Sequence, residues 1–178
     1  TLVVFPNLDG GVYGDKDIGK CLRSYAVLAV TNNMDGLARV DQIPDNMQFA
    51  FVSDWKFLPE GIFFDNDETL NGNVLFSTRT DKFKYPLDPA QPNPSVVGTP
   101  ARPMGVVMFR PNGRAYKMAG DTATGKYWQD TDYSKIYMTS AKYYEQAAGV
   151  LSPPQIIPGT NSIVQIRNKT GQVQIWTP

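Results

Sequence analysis

Short apolar runs separated by turn-forming residues follow one another along the chain. TLVVF at residues 1–5 is rich in β-branched residues and stops before Pro6, and the runs at residues 47–58 and 62–65 flank the turn-like Pro59-Glu60-Gly61. Runs of this length, with glycine and proline between them, are typical of strands joined by tight turns. The pattern therefore predicts a mainly β protein built from antiparallel hairpins, as one sheet or a sandwich.

The run CLRSYAVLAV at residues 21–30 fits two structures. Its alanine and leucine residues favour a helix, whereas its valine and tyrosine residues favour a strand. We favour the strand, because TNNMDG at residues 31–36 is typical of a hairpin connection. A second hairpin is predicted within VVMFRPNGRAYKM (residues 106–118), where Pro111-Asn112-Gly113 forms the turn and glycine supplies a positive φ angle.

The closing segment NSIVQIRNKTGQVQIW, residues 161–176, predicts a third hairpin. Apolar and polar residues alternate on both sides of Asn168, and Gly171 is expected to have a positive φ angle in the turn. Because neighbouring side chains of a strand point to opposite faces, only one register brings the apolar side chains onto the core. Those expected to face the core are Ile163, Val164, Ile166, Val173, Ile175 and Trp176.

Two segments depart from the strand pattern. Residues 81–104 hold six prolines, which restricts them to a loop or a sheet edge. AKYYEQAAGVL at residues 141–151 fits one or two helical turns that end before Ser152-Pro153-Pro154. No internal repeat and no clear linker divides the chain, so residues 1–178 are expected to form a single domain.

The composition restricts the chemistry. Seventeen basic and seventeen acidic residues cancel, which gives no overall field to attract nucleic acid or an anionic membrane. The absence of histidine removes the commonest general base and the usual zinc ligand sets. The single Cys21 is unable to form an internal disulfide, and fits a buried apolar position as well as a reactive thiol. We predict no enzyme activity, no catalytic residue, no cofactor and no metal.

Residues 14–21, GDKDIGKC, are similar to the phosphate-binding pattern G-x-x-x-x-G-K-S/T. Cys21 replaces the hydroxyl that binds magnesium, and Asp15 and Asp17 would repel a bound polyphosphate. The segment also does not follow directly after a strand, as the pattern requires. It is therefore predicted to be a charged surface connection between two strands, and not a nucleotide site.

The other candidate site residues lie in loops and on aromatic runs. Asp65, Asp67 and Glu68 include carboxylates that fit a weak calcium site or glycoside hydrolysis, although a solvated turn is favoured. Asn168-Lys169-Thr170 fits an N-glycosylation sequon, in a turn where asparagine is expected in any case. A group of aromatic residues fits sugar stacking, a protein contact or a core, and the sequence does not choose between them; these are Tyr127, Trp128, Tyr133, Tyr143 and Tyr144.

Several phrases resemble the globular domain of type IV pilin-like proteins, especially the minor pseudopilins of type II secretion systems. They are LVVF at the start, CLRSYAVLAV after a charged loop, WKFLPEGIFF, MFRPNGRAY and the closing IVQIRNKTGQVQIW. The resemblance implies a pilin-like β domain, normally preceded by one long N-terminal helix, in a non-enzymatic structural subunit of a pilus or pseudopilus. Its partners would be other pilin or pseudopilin subunits, with no nucleotide and no nucleic acid.

The resemblance also implies a location. Such proteins begin with a short basic leader and an apolar helix of about 20 residues, long enough to cross a bilayer. Thr1 lies directly inside a strand-like run, so we expect that an upstream segment has been removed. The intact protein would be anchored in the bacterial inner membrane, with this domain in the periplasm or on a cell-surface filament. The alternative is a secreted β-sandwich that binds carbohydrate.

Overall fold

The structure of the chain is a computed structural model. The described residues are 1–6, 19–31, 49–65, 84–86, 101–121, 125–129, 132–142, 145–147, 150–151, 155–157 and 161–177. Every regular element in these ranges is a strand: β1 Leu2–Pro6, β2 Ser24–Val30, β3 Phe49–Phe51, β4 Lys56–Phe57, β5 Ile62–Phe64, β6 Lys84–Pro86, β7 Ala101–Phe109, β8 Ala115–Asp121, β9 Gly125–Gln129, β10 Tyr133–Lys142, β11 Glu145–Ala147, β12 Val150–Leu151, β13 Gln155–Ile156, β14 Ser162–Arg167 and β15 Gln172–Trp176. The predicted mainly β, antiparallel character is confirmed. Within the same ranges, no helix is long and apolar enough to cross a bilayer.

The first sheet has the strand order β3-β2-β1-β7-β8-β9, with β4 also paired to β2 and β6 to β7. All of its described pairings are antiparallel. The valine-rich β1 lies between β2 and β7, with Val4 opposite Ala26 on one side and opposite Val106 on the other. β-branched and apolar side chains suit this central position, because both faces of the strand are covered.

The second sheet has the order β13-β10-β14-β15, with β5 also paired to β10. The long strand β10 pairs with β14 from Tyr133 to Met138 and with β5 from Met138 to Ser140. A small separate ladder joins β11 to β12. The closing hairpin thus supplies two of the strands of this sheet.

Two apolar clusters stabilise the sheets. The described members of the first cluster all come from the first sheet: Leu2, Val4, Ala26, Leu28, Phe49, Met104, Val106, Met108 and Tyr116. The second cluster takes side chains from both sheets, with Phe5 and Val107 from the first and Phe64, Ile136 and Ile166 from the second. The second cluster therefore forms the core between the two sheets.

The run at residues 21–30 is a strand, as favoured, but it starts late. Lys20–Arg23 form a turn, and Leu22 has a φ angle of 56° although it is not glycine. Leu22 is buried, its N–H donates to the Pro6 carbonyl at 2.9 Å, and its carbonyl accepts from the Phe64 N–H at 2.7 Å. These bonds and the burial offset a backbone conformation that costs on the order of 1–3 kcal/mol for a side chain with a Cβ.

One expectation needs correction. The helical turns expected within residues 141–151 are wrong: Lys142 ends β10, and β11 and β12 pair as an irregular antiparallel ladder. The helix propensity of alanine, glutamate and glutamine is small, so strand pairing overrides it. The proline-rich segment at residues 81–104 agrees with the expected loop or edge where it is described, because β6 pairs only with β7 among the described strands. Residues 81–83 and 87–100 lie outside the described residues.

Candidate functional surface at the closing hairpin

The closing hairpin has the predicted strands and turn. β14 pairs with β15 in one unbroken register, from Ile163 opposite Trp176 to Arg167 opposite Gln172. The Arg167 carbonyl accepts hydrogen bonds from the N–H groups of Thr170, at 3.1 Å, and Gly171, at 2.7 Å. Gly171 has a φ angle of 66°, which confirms the expected positive-φ position. Glycine adopts this conformation without the steric cost that a Cβ would bring.

A second hairpin turn packs directly against this one. In the turn between β7 and β8, the Gly113 N–H donates to the Arg110 carbonyl at 3.0 Å, and Gly113 has a φ angle of 78°. A Cβ placed on Gly171 would lie 2.5 Å from the Gly113 carbonyl oxygen. The two turns are therefore in backbone contact, and Gly171 is required both by its dihedral angle and by the available space.

Asn168 joins the two turns and is completely buried. Its carbonyl accepts from the Ala115 N–H at 2.7 Å, and its own N–H donates to the Asp132 carbonyl at 3.0 Å. The Ser134 hydroxyl donates to the Asn168 side-chain oxygen at 2.9 Å. Because this amide is enclosed in the protein, it is not accessible to a glycosylating enzyme in the folded chain. The sequon pattern is thus accounted for by a structural asparagine.

A surface ion pair lies beside the turn. The Lys169 ammonium is 2.8 Å from the Asp132 carboxylate, and both side chains are exposed. The hydrogen bond from Lys169, together with its positive charge, lowers the pKa of Asp132. Exposed pairs of this kind contribute little to stability. The pair therefore lies on the surface and not in the core.

The outer strand of the hairpin carries exposed apolar side chains. Val173 is 52% exposed, Ile175 68% and Trp176 57%. The expectation that all apolar residues of the hairpin face the core is therefore wrong. The register places Ile163 and Trp176 on the face opposite the buried Ile166, and Val173 and Ile175 are exposed although they share the face of Ile166. In the described part of the chain β15 pairs only with β14. It lies at the end of the described strand order, and none of its side chains belongs to either apolar cluster.

The segment that is similar to a phosphate-binding loop, residues 14–21, is described from Gly19 onwards. Its described part, from Gly19, is a turn that leads into strand β2, whereas a phosphate loop leads into a helix. Cys21 is fully buried, and the Lys20 ammonium lies 6.0 Å from the centroid of the Trp55 ring. Residues 14–18 of the segment lie outside the described residues, so the predicted surface connection stays a prediction. Asp15 and Asp17 lie outside the described residues.

Of the three acidic candidates, the structure describes Asp65. Asp65 is buried after β5, and its N–H donates to the Tyr137 carbonyl at 2.8 Å. Asp67 and Glu68 lie outside the described residues. No group of three or more potential metal ligands occurs among the residues that the structure describes. The calcium hypothesis near Asp65 and Asp67 stays a prediction.

The aromatic candidates are distributed along the second half of the chain. Tyr133 begins β10 and is 47% exposed. Tyr127 and Trp128 lie in β9, where Trp128 pairs with Met118 of β8. Tyr143 and Tyr144 lie outside the described residues. The structure adds Trp176 to this set, because the register places its ring on the face opposite the buried Ile166, where it is exposed.

Comparison with known proteins identifies no relative. No protein-family model matches the chain, and no curated protein or solved structure matches it. The functional argument therefore depends on the residues and their geometry.

Proposed function

We propose that this chain is the β domain of a non-enzymatic, pilin-like structural subunit that acts by assembly and protein contact. The filament would be a type IV pilus or a type II secretion pseudopilus. The observation that carries the proposal is the exposed apolar edge strand β15. Apolar side chains on an unpaired sheet edge are typical of a contact with another polypeptide.

The sequence segments that resemble pilin-like proteins support the proposed family by their position in the fold. LPEGIFF spans the turn at Gly61, which has a φ angle of 78°, and the following strand β5. MFRPNGRAY spans the turn between β7 and β8, and TGQVQIW spans the last turn and β15. Each phrase is thus a turn with a positive-φ glycine next to a strand, the element that the resemblance implies.

The intact subunit would be held in the bacterial inner membrane by an apolar helix upstream of Thr1, with this domain in the periplasm or on the filament surface. The direct test is the coding sequence upstream of Thr1. We expect a short basic leader and an apolar helix of about 20 residues. An ordinary cytosolic start, or another folded domain, would contradict the proposal.

A second test measures assembly in cells. Replacing Ile175 with lysine should reduce the amount of subunit in the filament fraction, because a charge on the contact strand opposes burial. The matched control is Val52→Lys: Val52 is 59% exposed but lies at a bend after β3, away from β15. If both variants are incorporated into the filament equally, β15 is not part of the filament contact.

A secreted carbohydrate-binding β domain is the second candidate, and one observation favours it. The register places Tyr133, Gln174 and Trp176 on the same face of the second sheet, opposite the core-facing Ile166. Exposed aromatic rings separated by amide side chains suit stacking and hydrogen bonding with a sugar chain. A glycan array tests this candidate, with Tyr133→Ala, Trp176→Ala and Trp128→Ala as variants. The absence of any bound glycan would reject it.

A further inference from the structure

The outer edge of β15, which has no paired strand among the described residues, lacks the usual protection against strand pairing. Residues 172–177, QVQIWT, contain no charged residue and no proline. β15 pairs with β14 in five consecutive positions without a bulge. Natural edge strands commonly carry a charge, a proline or a bulge that prevents the addition of another strand. By these three criteria β15 is open to pairing along its outer edge.

We propose that β15 pairs antiparallel with β15 of a second copy of this chain, about a two-fold axis at Gln174. In this register Gln174 lies opposite Gln174 of the second copy, and Val173 lies opposite Ile175 of the second copy. Val173 and Ile175 then meet apolar side chains and Gln174 meets an amide, whereas Gln172 lies opposite Trp176 at the ends of the paired segment. A shift by one residue would place glutamine against valine or isoleucine, so the order of residues selects this register.

Charge and symmetry favour a second copy as the occupant. With no charge in the strand, two copies meet without the like-charge repulsion that limits self-association of most edge strands. The apolar–glutamine–apolar order from Val173 to Ile175 has the same pattern in both directions, so it is complementary to itself in an antiparallel pair. Contacts of this isologous type are the commonest in homo-oligomers.

The pairing would also extend the core between the sheets. Val173 is the neighbour of Ile166 across the β14–β15 ladder, and Ile175 is the neighbour of Val164. Ile166 belongs to the second apolar cluster and Val164 packs against it. A paired strand would cover the exposed side chains of Val173 and Ile175 and connect the cores of the two copies. The exposed apolar row is thus continuous with buried apolar surface.

This inference goes beyond the proposed function. An isologous pair closes on itself, so it joins two chains but does not propagate a filament. The pairing is measured on the isolated 178-residue chain, whereas filament assembly is measured in cells. A domain that enters filaments but stays monomeric in solution would overturn the pairing alone.

Disulfide cross-linking tests the register. Directly opposed residues in an antiparallel pair have Cα atoms about 4.5–5.5 Å apart, within the range of about 4.4–6.8 Å that a disulfide spans. We expect Gln174→Cys to form a covalent dimer under mild oxidation. Thr170→Cys, which is exposed in the turn outside β15, is the matched control, and the unmodified chain with its buried Cys21 is the blank. Equal dimer yields from the two variants would contradict the proposed register.

Sedimentation equilibrium tests the association itself. We expect a monomer–dimer equilibrium for the unmodified chain, and a dissociation constant at least about tenfold higher for Ile175→Lys. Val52→Lys, at a position 59% exposed against 68% for Ile175 and outside β15, should leave the equilibrium unchanged. Circular dichroism checks that both variants are folded. A monomeric unmodified chain at all concentrations, or a dimer that Ile175→Lys does not weaken, would overturn the proposal.

Discussion

At the scale of single residues, the closing turn depends on one buried amide. Asn168 makes backbone hydrogen bonds to Ala115 and Asp132, and its side-chain oxygen accepts from Ser134. A hydrogen-bonded polar group that is fully buried is costly to remove, because its partner is left unsatisfied. The asparagine of the sequon thus has a different role from the exposed Thr170 two residues later.

We expect Asn168→Ala to lower the free energy of unfolding by about 2 kcal/mol, since the Ser134 hydroxyl loses its buried acceptor. Thr170→Ala should change it by less than about 0.5 kcal/mol, because the Thr170 hydroxyl accepts only one exposed bond, from Gln172. Both variants destroy the sequon, so they form a matched pair. Urea denaturation measures the difference, and equal effects would contradict the structural role of Asn168.

The Asp132–Lys169 pair gives a pH prediction. The pKa of Asp132 is lowered by Lys169, so we expect Lys169→Ala to raise it towards its ordinary value, as followed by NMR titration. A carboxyl with a lowered folded-state pKa stabilises the fold above its unfolded-state pKa, and this contribution is lost as the pH falls through the folded-state value. The effect of Lys169→Ala on stability should therefore disappear in acid. An unchanged Asp132 pKa in the variant would contradict the pairing.

At the scale of elements, the two hairpin turns act as one unit. Gly113 and Gly171 both have positive φ angles, but the space around them differs. A Cβ on Gly113 would meet the Thr170 carbonyl oxygen at an ordinary 3.9 Å, whereas one on Gly171 would lie 2.5 Å from the Gly113 carbonyl oxygen. The backbone of one turn therefore limits what the other can accommodate.

Alanine substitutions at Gly113 and Gly171 separate the cost of the backbone conformation from the cost of the steric clash. Gly113→Ala should cost about 1–2 kcal/mol from the left-handed backbone alone. Gly171→Ala should cost about 3 kcal/mol or more, because it adds a backbone clash to the same strain. Gly61→Ala is the control with a positive φ angle and nothing within 4 Å of the added Cβ. Thermal unfolding measures the loss of stability in each variant. If Gly171→Ala loses no more stability than Gly113→Ala and Gly61→Ala, the contact between the two turns is refuted.

At the scale of the whole molecule, the core between the sheets determines which apolar residues stabilise the chain. Phe5, Val107 and Ala115 from the first sheet meet Phe64 and Ile166 from the second. Burial here is a property of both sheets together, since each supplies only one side of the cluster. Stability should therefore follow position relative to this core and not hydrophobicity as such.

We expect Ile166→Ala to lower the free energy of unfolding by about 2–5 kcal/mol, from lost burial and the cavity left behind. Ile157 is 40% exposed after β13, so Ile157→Ala should cost less than about 1 kcal/mol. The same deletion of side-chain atoms is made in both variants, and urea denaturation compares them. Similar losses would show that Ile166 does not lie in a shared core.

Local interactions explain why much of this fold was predictable from the sequence. The turns at Gly61, Gly113 and Gly171 depend on a backbone conformation that glycine adopts easily, so neighbouring residues are enough to predict them. The strands β1, β7 and β14 have the expected short apolar or alternating runs. The mainly β class and the closing hairpin follow from these local preferences.

Only the tertiary structure decided which residues are enclosed and which strands are neighbours. The alternation in β15 resembles that in β14, yet Ile166 belongs to the core between the sheets and is buried, whereas Ile175 on the edge strand belongs to neither apolar cluster and is exposed. The β11–β12 ladder replaced the expected helical turns for a related reason: pairing between strands outweighs small helix propensities. Asn168 likewise appears as a glycosylation site in the sequence, but it is closed off by β8 and β10, which are distant along the chain. Burial and strand order depend on such long-range contacts, so local sequence patterns do not determine them.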